Sequence, residues 1–238
     1  MDNDQQNLQY LEKQYEGPVV WNCTKREAAK QFAKKELLNP FDTFKNDPYE
    51  VQTEESNEMI NKILSDENLV CGIKYQDGNR QKYVIDQFLS VQDCEEKGYI
   101  VTHQGKCNRC STLQDLSIYL QTDLTYPVAY CGLLGFSSKD QEKECLMDLG
   151  FTEPCAEIWY FNTQNTAKEC YKPCMYMLLT KQPFVDENGN LNKCLQCDED
   201  KSGPIFKYFA GRTRRNSGIE SEIPRPDQQV YPINQCYY

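Results

Sequence analysis

Between residues 24 and 37, small and apolar side chains recur at Ala28, Ala29, Phe32, Ala33 and Leu37 with charged residues between them. This is the spacing of one helical face. Thr24 and Glu27 form a capping box in front of it, and Asn39-Pro40 is the expected stop. A second helix is expected from Thr53, with Met59, Ile60, Ile63 and Leu64 on one side. The period changes at Val70. The stretches "CGIKYQ" and "RQKYVIDQF" flank Asp77-Gly78, which predicts a hairpin. "GYIVTH" adds a third strand, with Cys94 in the loop before it.

Helical spacing returns with Leu113, Leu116 and Leu120 behind an expected Ser111–Gln114 capping box. Pro127 suits the first turn of a short helix over "YPVAYCGLLG". Ser138 and Gln141 cap the next, which ends at Gly150, and Thr152-Glu153-Pro154 opens one expected to run to about Leu179. Asn188-Gly189 signals a second hairpin. "GPIFKYFAG" reads as a last strand, followed by a loop-like tail.

These elements predict an α+β chain with a small antiparallel sheet and several short helices. It divides into an extended arm (1–23), a helical segment (24–68), a sheet with a cysteine-rich helical core (69–183), and a hairpin, strand and tail (184–238), with 24–210 forming one unit in the more compact reading.

Composition changes the picture in one respect. Mean hydropathy is −0.75 and hydrophobic residues make 39% of the chain, so burial alone gives a thin core. The chain has 13 cysteines: Cys23, Cys71, Cys94, Cys107, Cys110, Cys131, Cys145, Cys155, Cys170, Cys174, Cys194, Cys197 and Cys236. Cross-links remove entropy from the unfolded chain, so this density predicts a disulfide-stapled protein of an oxidising compartment. The odd count leaves one cysteine over. Cys170 and Cys174, four residues apart, share one helix face and, packed against neighbours that carry Cys131, Cys145 or Cys155, suit a stapled helical hairpin whose pairing is left open.

The net charge of −10 argues against a nucleic-acid partner, which requires a basic surface. No apolar run has the length of a membrane span. The first thirty residues lack the apolar core of a signal peptide and the bias of a transit peptide. The expected location is therefore the secretory lumen, cell surface or exterior, reached through a leader removed before this numbering, or else the mitochondrial intermembrane space. Asn22-Cys23-Thr24 matches the N-glycosylation pattern and leans toward the secretory route.

Four groups carry candidate chemistry. Cys107 and Cys110 flank Arg109, lie near His103, the one histidine of the chain, and precede a helix. This is the setting of a thiol–disulfide oxidoreductase or other thiol enzyme. However, both cysteines come before the helix cap, and no β-α-β context is present. The pairs Cys107/Cys110 and Cys194/Cys197 together offer four thiolates for zinc, although their separation is far from the common spacing. Arg212, Arg214 and Arg215, bounded by glycines, suit an anion or an acidic protein partner. Asp186, Asn188 and Asn190 alternate as in a calcium loop, but Leu191 and Cys197 occupy the positions that need glycine and glutamate. Sixteen tyrosines, among them Tyr10, Tyr15, Tyr231, Tyr237 and Tyr238 near the chain ends, suggest docking on the same chain or on a neighbouring subunit. The favoured reading is a non-catalytic structural or interaction protein without a cofactor. It would be a subunit of a larger assembly that binds protein partners, including copies of itself.

Overall fold

A computed structural model describes residues 21–50, 58, 69–135, 138–221, 223 and 230–238. The helix expected from Thr53, and Tyr10 and Tyr15, lie outside them. The described chain is α+β and disulfide-stapled. Its elements are α1 (Lys25–Phe32), β1 (Glu36–Leu37), β2 (Val70–Tyr75), β3 (Lys82–Phe88), α2 (Val91–Glu96), β4 (Ile100–Gln104), α3 (Leu113–Gln121), α4 (Thr125–Gly135), α5 (Lys139–Asp148), α6 (Glu153–Glu169), α7 (Tyr171–Thr180), α8 (Lys193–Lys201) and α9 (Gly203–Ala210), followed by a 3-10 turn, Arg215–Ser217.

The four strands run in the order β1-β3-β2-β4. The β2–β3 and β2–β4 pairs are antiparallel as expected, and β1 adds a parallel pair by aligning Glu36 with Lys82 and Leu37 with Tyr83. That pairing explains why α1 stops early. The capping box at Thr24 and Glu27 is present and Ala28, Ala29 and Phe32 are buried. The chain then unwinds so that Leu37 joins the β3 edge instead of extending the helix. The β2–β3 hairpin turns through a longer loop than an Asp-Gly turn. The Asp77 carboxylate accepts from the Gln81 and Lys82 amides, and Arg80 takes the left-handed conformation.

Gly72 lets helix α2 lie close on β2, because a Cβ there would meet Cys94 Sγ at 2.5 Å. Cys94 therefore sits on a helix and not in a loop. Other expectations shift by local competition. The cap of α3 is Thr112, whose hydroxyl accepts from the Asp115 amide, while Ser111 is drawn into the interior. The helix expected from Thr152 to Leu179 breaks at Cys170 into α6 and α7. "GPIFKYFAG" is helix α9, with Pro204 in its first turn and Phe206 and Ala210 buried on one face. "CLQC" lies on α8, capped by Asn192. The Asn188-Gly189 turn survives, closed by a Val185–Leu191 bridge and held by Asp186.

Six disulfides staple the fold: Cys23–Cys236, Cys71–Cys107, Cys110–Cys155, Cys131–Cys145, Cys170–Cys197 and Cys174–Cys194. Cys94 is free and buried. The partners of Cys170 and Cys174 are thus on α8, not on the preceding helices. Cys23–Cys236 brings the carboxyl-terminal segment onto α1, where Tyr237 and Tyr238 pack on Phe32 with ring centroids 5.1 and 5.9 Å apart.

At the centre lies a buried polar cluster, not a purely apolar core. Arg212 has 0% exposure. Its guanidinium donates to the carbonyls of Cys110, Thr102 and Ser111 and to the hydroxyls of Thr102 and Ser217. Gln235 donates to the Thr102 and Ser217 carbonyls, and the Tyr237 hydroxyl meets Gln235 and Thr102 at 2.7 Å. Gln235 and Tyr237 tie the carboxyl-terminal segment to β4 and the 3-10 turn, while the Arg212 side chain joins β4, the loop before α3 and the 3-10 turn. Removing it would leave several buried acceptors unmet, each costing about 1–3 kcal/mol. Arg212→Met is expected to lower the unfolding free energy by about 3 kcal/mol or more, read from urea unfolding with the disulfides intact. A loss below about 1 kcal/mol would contradict this central role.

Candidate functional site

The candidates read from sequence are taken apart by the fold. Cys107 is bonded to Cys71 on β2 and Cys110 to Cys155 on α6, so the two do not face each other as a redox pair. Cys194 and Cys197 are bonded to Cys174 and Cys170. All four thiols of the zinc alternative are therefore in the disulfide network, and among the described residues no group of three or more His, Cys, Asp and Glu side chains could hold a metal ion.

His103 is fully buried. Its Nδ1 lies 3.0 Å from the Gln104 carbonyl and its Nε2 lies 2.8 Å from Ser111 Oγ. A carbonyl only accepts, so Nδ1 carries the proton and Nε2 accepts from Ser111, whose oxygen in turn accepts from the Asn108 amide. The ring is neutral and locked. Burial, and secondarily the Arg212 charge, hold its pKa well below the usual histidine value.

The arginine trio does not form an exposed basic patch. Arg212 is the buried centre described above. Arg214 donates to the carbonyls of Glu220 and Thr122 and lies 3.9 Å from Asp123, and Arg215 lies 3.6 Å from Glu199. The tyrosines at the carboxyl end dock on their own chain through Phe32 and Thr102. This removes Tyr237 and Tyr238 as a free interface to a neighbouring subunit. Asn22 is exposed.

What the fold does assemble is an apolar pocket of about 450 Å³, within the size range of small-molecule sites. Its walls come from the end of α3, from α4 and α6, and from α7, α8 and α9. Leu124, Val128, Leu133, Met175, Leu195 and Phe206 are among its apolar lining. Trp159 stacks on Phe206 with centroids 4.4 Å apart, and Tyr126 packs on Phe184 at 5.0 Å.

Helix α7 has no buried residue although its sequence, YKPCMYMLLT, is dominated by apolar side chains. Propensity and packing alone give such a short helix little reason to stay in place. The disulfides to α8 hold it over the pocket. Leu179, facing away, is 78% exposed.

Behind the pocket lining, Tyr119 Oη and Trp159 Nε1 are enclosed without a well-aligned hydrogen-bond partner. Tyr119 is only 3% exposed. The indole of Trp159 acts on the Tyr119 hydroxyl and lowers its pKa, against the larger effect of burial, which raises it. Asp123, Asp198, Glu199, Lys207, Arg214 and Arg215 also line the pocket, with Lys207 3.1 Å from Glu199. The charges balance. Burial raises the pKa of Asp198, while the hydroxyl of Thr166 donates to its carboxylate.

None of this was marked in the sequence by a motif, because the lining residues are spread from Tyr119 to Ile223. The one local signal was the apolar run of α7, which lacks the polar face of an ordinary surface helix.

Residues 139–233, from α5 onward, match the model of a family of unknown function (DUF8771). This span holds both disulfides that fasten α7 to α8. No curated protein and no solved structure matches the chain.

The buried ring makes a clear prediction. Unfolded histidine titrates near 6.5, and the folded value is lower. Below about pH 6.5 the unfolded chain therefore binds a proton that the folded chain refuses, and stability falls by about 1.4 kcal/mol per pH unit from this group. Asp115, whose pKa burial raises to about 6, acts in the opposite sense between about 3.9 and 6. The contribution of His103 is isolated by comparing wild type with His103→Gln. Between pH 7.5 and 5.5 wild type should lose about 1.4 kcal/mol more, and its single imidazole NMR signal should not titrate in that range.

Proposed function

We propose that this chain is a non-catalytic interaction protein of an oxidising compartment, which works by binding at the pocket under α7. The observation that carries the reading is the pocket itself: an apolar concavity whose cover is fastened by two disulfides. A site built this way needs an environment in which those bonds persist. The groups best suited to covalent chemistry support the same reading, because Cys107 and Cys110 are in separate disulfides and His103 is enclosed.

The secretory lumen, cell surface or exterior is the favoured location, with N-glycosylation at exposed Asn22 as part of that reading. The mitochondrial intermembrane space is the alternative. Among the described residues no helix is long and apolar enough to cross a membrane. Membership of a larger assembly rests on the exposed apolar side chains of α4 and α7, including Tyr126, Tyr130 and Leu179, now that the carboxyl-terminal tyrosines are accounted for.

Intact mass tests the reading directly. Protein purified from its native source with thiols blocked at lysis should take up no alkyl group while folded, one after denaturation, and thirteen after reduction. The single group belongs to Cys94, whose thiol burial pushes up to about 12. Four or more cysteines alkylated without reduction would overturn the compartment and the fastened cover together.

A further inference from the structure

We propose that helix α7 seats this protein on a lipid surface with anionic headgroups. The helix would lie flat in the interface, with its exposed apolar side chains turned into the lipid and the lysines at its two ends against the headgroups. Such docking goes beyond ligand binding in the pocket. It gives α7 a lipid surface and leaves the exposed tyrosines of α4 to a protein neighbour.

Exposed apolar surface is concentrated on this element. Helix α7 has ten residues, and Tyr171, Tyr176, Leu178 and Leu179 are 55%, 58%, 49% and 78% exposed. A patch of this kind marks a contact surface. The charges decide what makes the contact. None of the chain's 36 acidic residues falls in residues 170–185, and the two charged residues that do, Lys172 and Lys181, are exposed at the ends of the helix. Among the described residues neither lysine forms an ion pair. Carboxylates nearby in the chain or on α8 have other partners: Glu169 lies 3.8 Å from Lys168, Glu199 lies 3.1 Å from Lys207, and Asp198 accepts from Thr166. Lys181 also takes the left-handed conformation, with φ at 50°. Glycine is the usual residue there, so a long cation stands where the backbone favours no side chain at all.

Lysine separates a lipid surface from a protein partner. Protein interfaces are depleted in lysine and enriched in arginine, and no arginine falls in residues 170–185. At a lipid surface, by contrast, lysines near helix ends lay their apolar stems along the acyl boundary and keep the ammonium groups among the headgroups. Tyrosine, with an apolar ring and a polar tip, favours the same boundary. A second copy fits less well, because α7 packed on α7 brings lysines of one sign together. Ten residues rising about 1.5 Å each give a helix about 15 Å long, half of the roughly 30 Å hydrocarbon thickness. The helix therefore rests on the surface and does not cross it. The net charge of −10 opposes an anionic surface only from a distance, since charges more than about 8 Å away are largely screened at physiological salt. Close in, the two lysines dominate.

The test is sedimentation of the oxidised full chain with vesicles of phosphatidylcholine alone or with about one quarter phosphatidylserine. Reversible, saturable binding to the anionic vesicles is expected, at least about 10-fold tighter than to phosphatidylcholine and lost as salt approaches about 1 M. Lys172→Gln with Lys181→Gln should weaken it by roughly 10- to 30-fold. Tyr176→Ser with Leu179→Ser should weaken it by about 10-fold or more. Neither pair should lower the urea midpoint, because α7 has no buried residue.

Absence of vesicle binding by the folded, oxidised chain would overturn the proposal. So would equal affinity for the two vesicle compositions, or unchanged affinity in both double variants. Self-association that Tyr176→Ser with Leu179→Ser abolishes, without vesicle binding, would give this face to a second copy instead. No pocket ligand enters the measurement, so the pocket-binding function stands or falls separately.

Discussion

A guanidinium enclosed in a protein interior is costly unless its donors are met, and this fold is arranged around meeting them. Arg212 reaches the backbone of β4 and of the segment just before α3 and the Ser217 hydroxyl of the 3-10 turn, and Gln235 and Tyr237 complete the cluster from the other end of the chain. This polar cluster sits beside a hydrophobic cluster that includes Phe32, Ile73, Tyr83, Leu113, Leu116 and Ile158. A charged side chain with five directed contacts supplies position as well as cohesion, because it accepts only one arrangement of the carbonyls around it. Gly211 is part of the same requirement. A Cβ there would lie 2.5 Å from the Lys106 carbonyl, so the backbone could not approach closely enough to place Arg212.

The second half of the molecule solves a different problem. Helices α7 and α8 have little buried surface of their own, and α7 has no buried residue. Their mutual position is set covalently. Near-rigid attachment without burial is what allows an apolar helix to border a cavity instead of collapsing into it. The pocket and the disulfides are thus one design: the bonds hold open what hydrophobic packing would otherwise close.

Much of the secondary structure was legible because it is encoded locally. Thr24 with Glu27, Ser138 and Pro127 each act within one helical turn, and the hairpin between β2 and β3 needed only alternation and a turn. Leu37 misled because a strand edge distant in sequence competed for it. The span Gly203–Ala210 looked like a strand through its aromatic content, whereas Pro204 and the spacing of Phe206 and Ala210 were the better guides. The oxidised state was legible from cysteine number, but the pairing was not, because spacing along the chain does not reveal which helices become neighbours. Arg212 lay in a basic, glycine-bounded run that reads as exposed. Only the convergence of distant carbonyls makes it internal. The pocket was illegible for the same reason, since Tyr119 and Trp159 belong to separate helices whose approach depends on tertiary packing.

The bond between Cys23 and Cys236 spans a sequence separation of 213. Between those two residues the polypeptide is a closed ring with a second, shorter path across it. Tension applied outside the pair passes through the sulfur–sulfur link and bypasses the helices and strands described between its two cysteines.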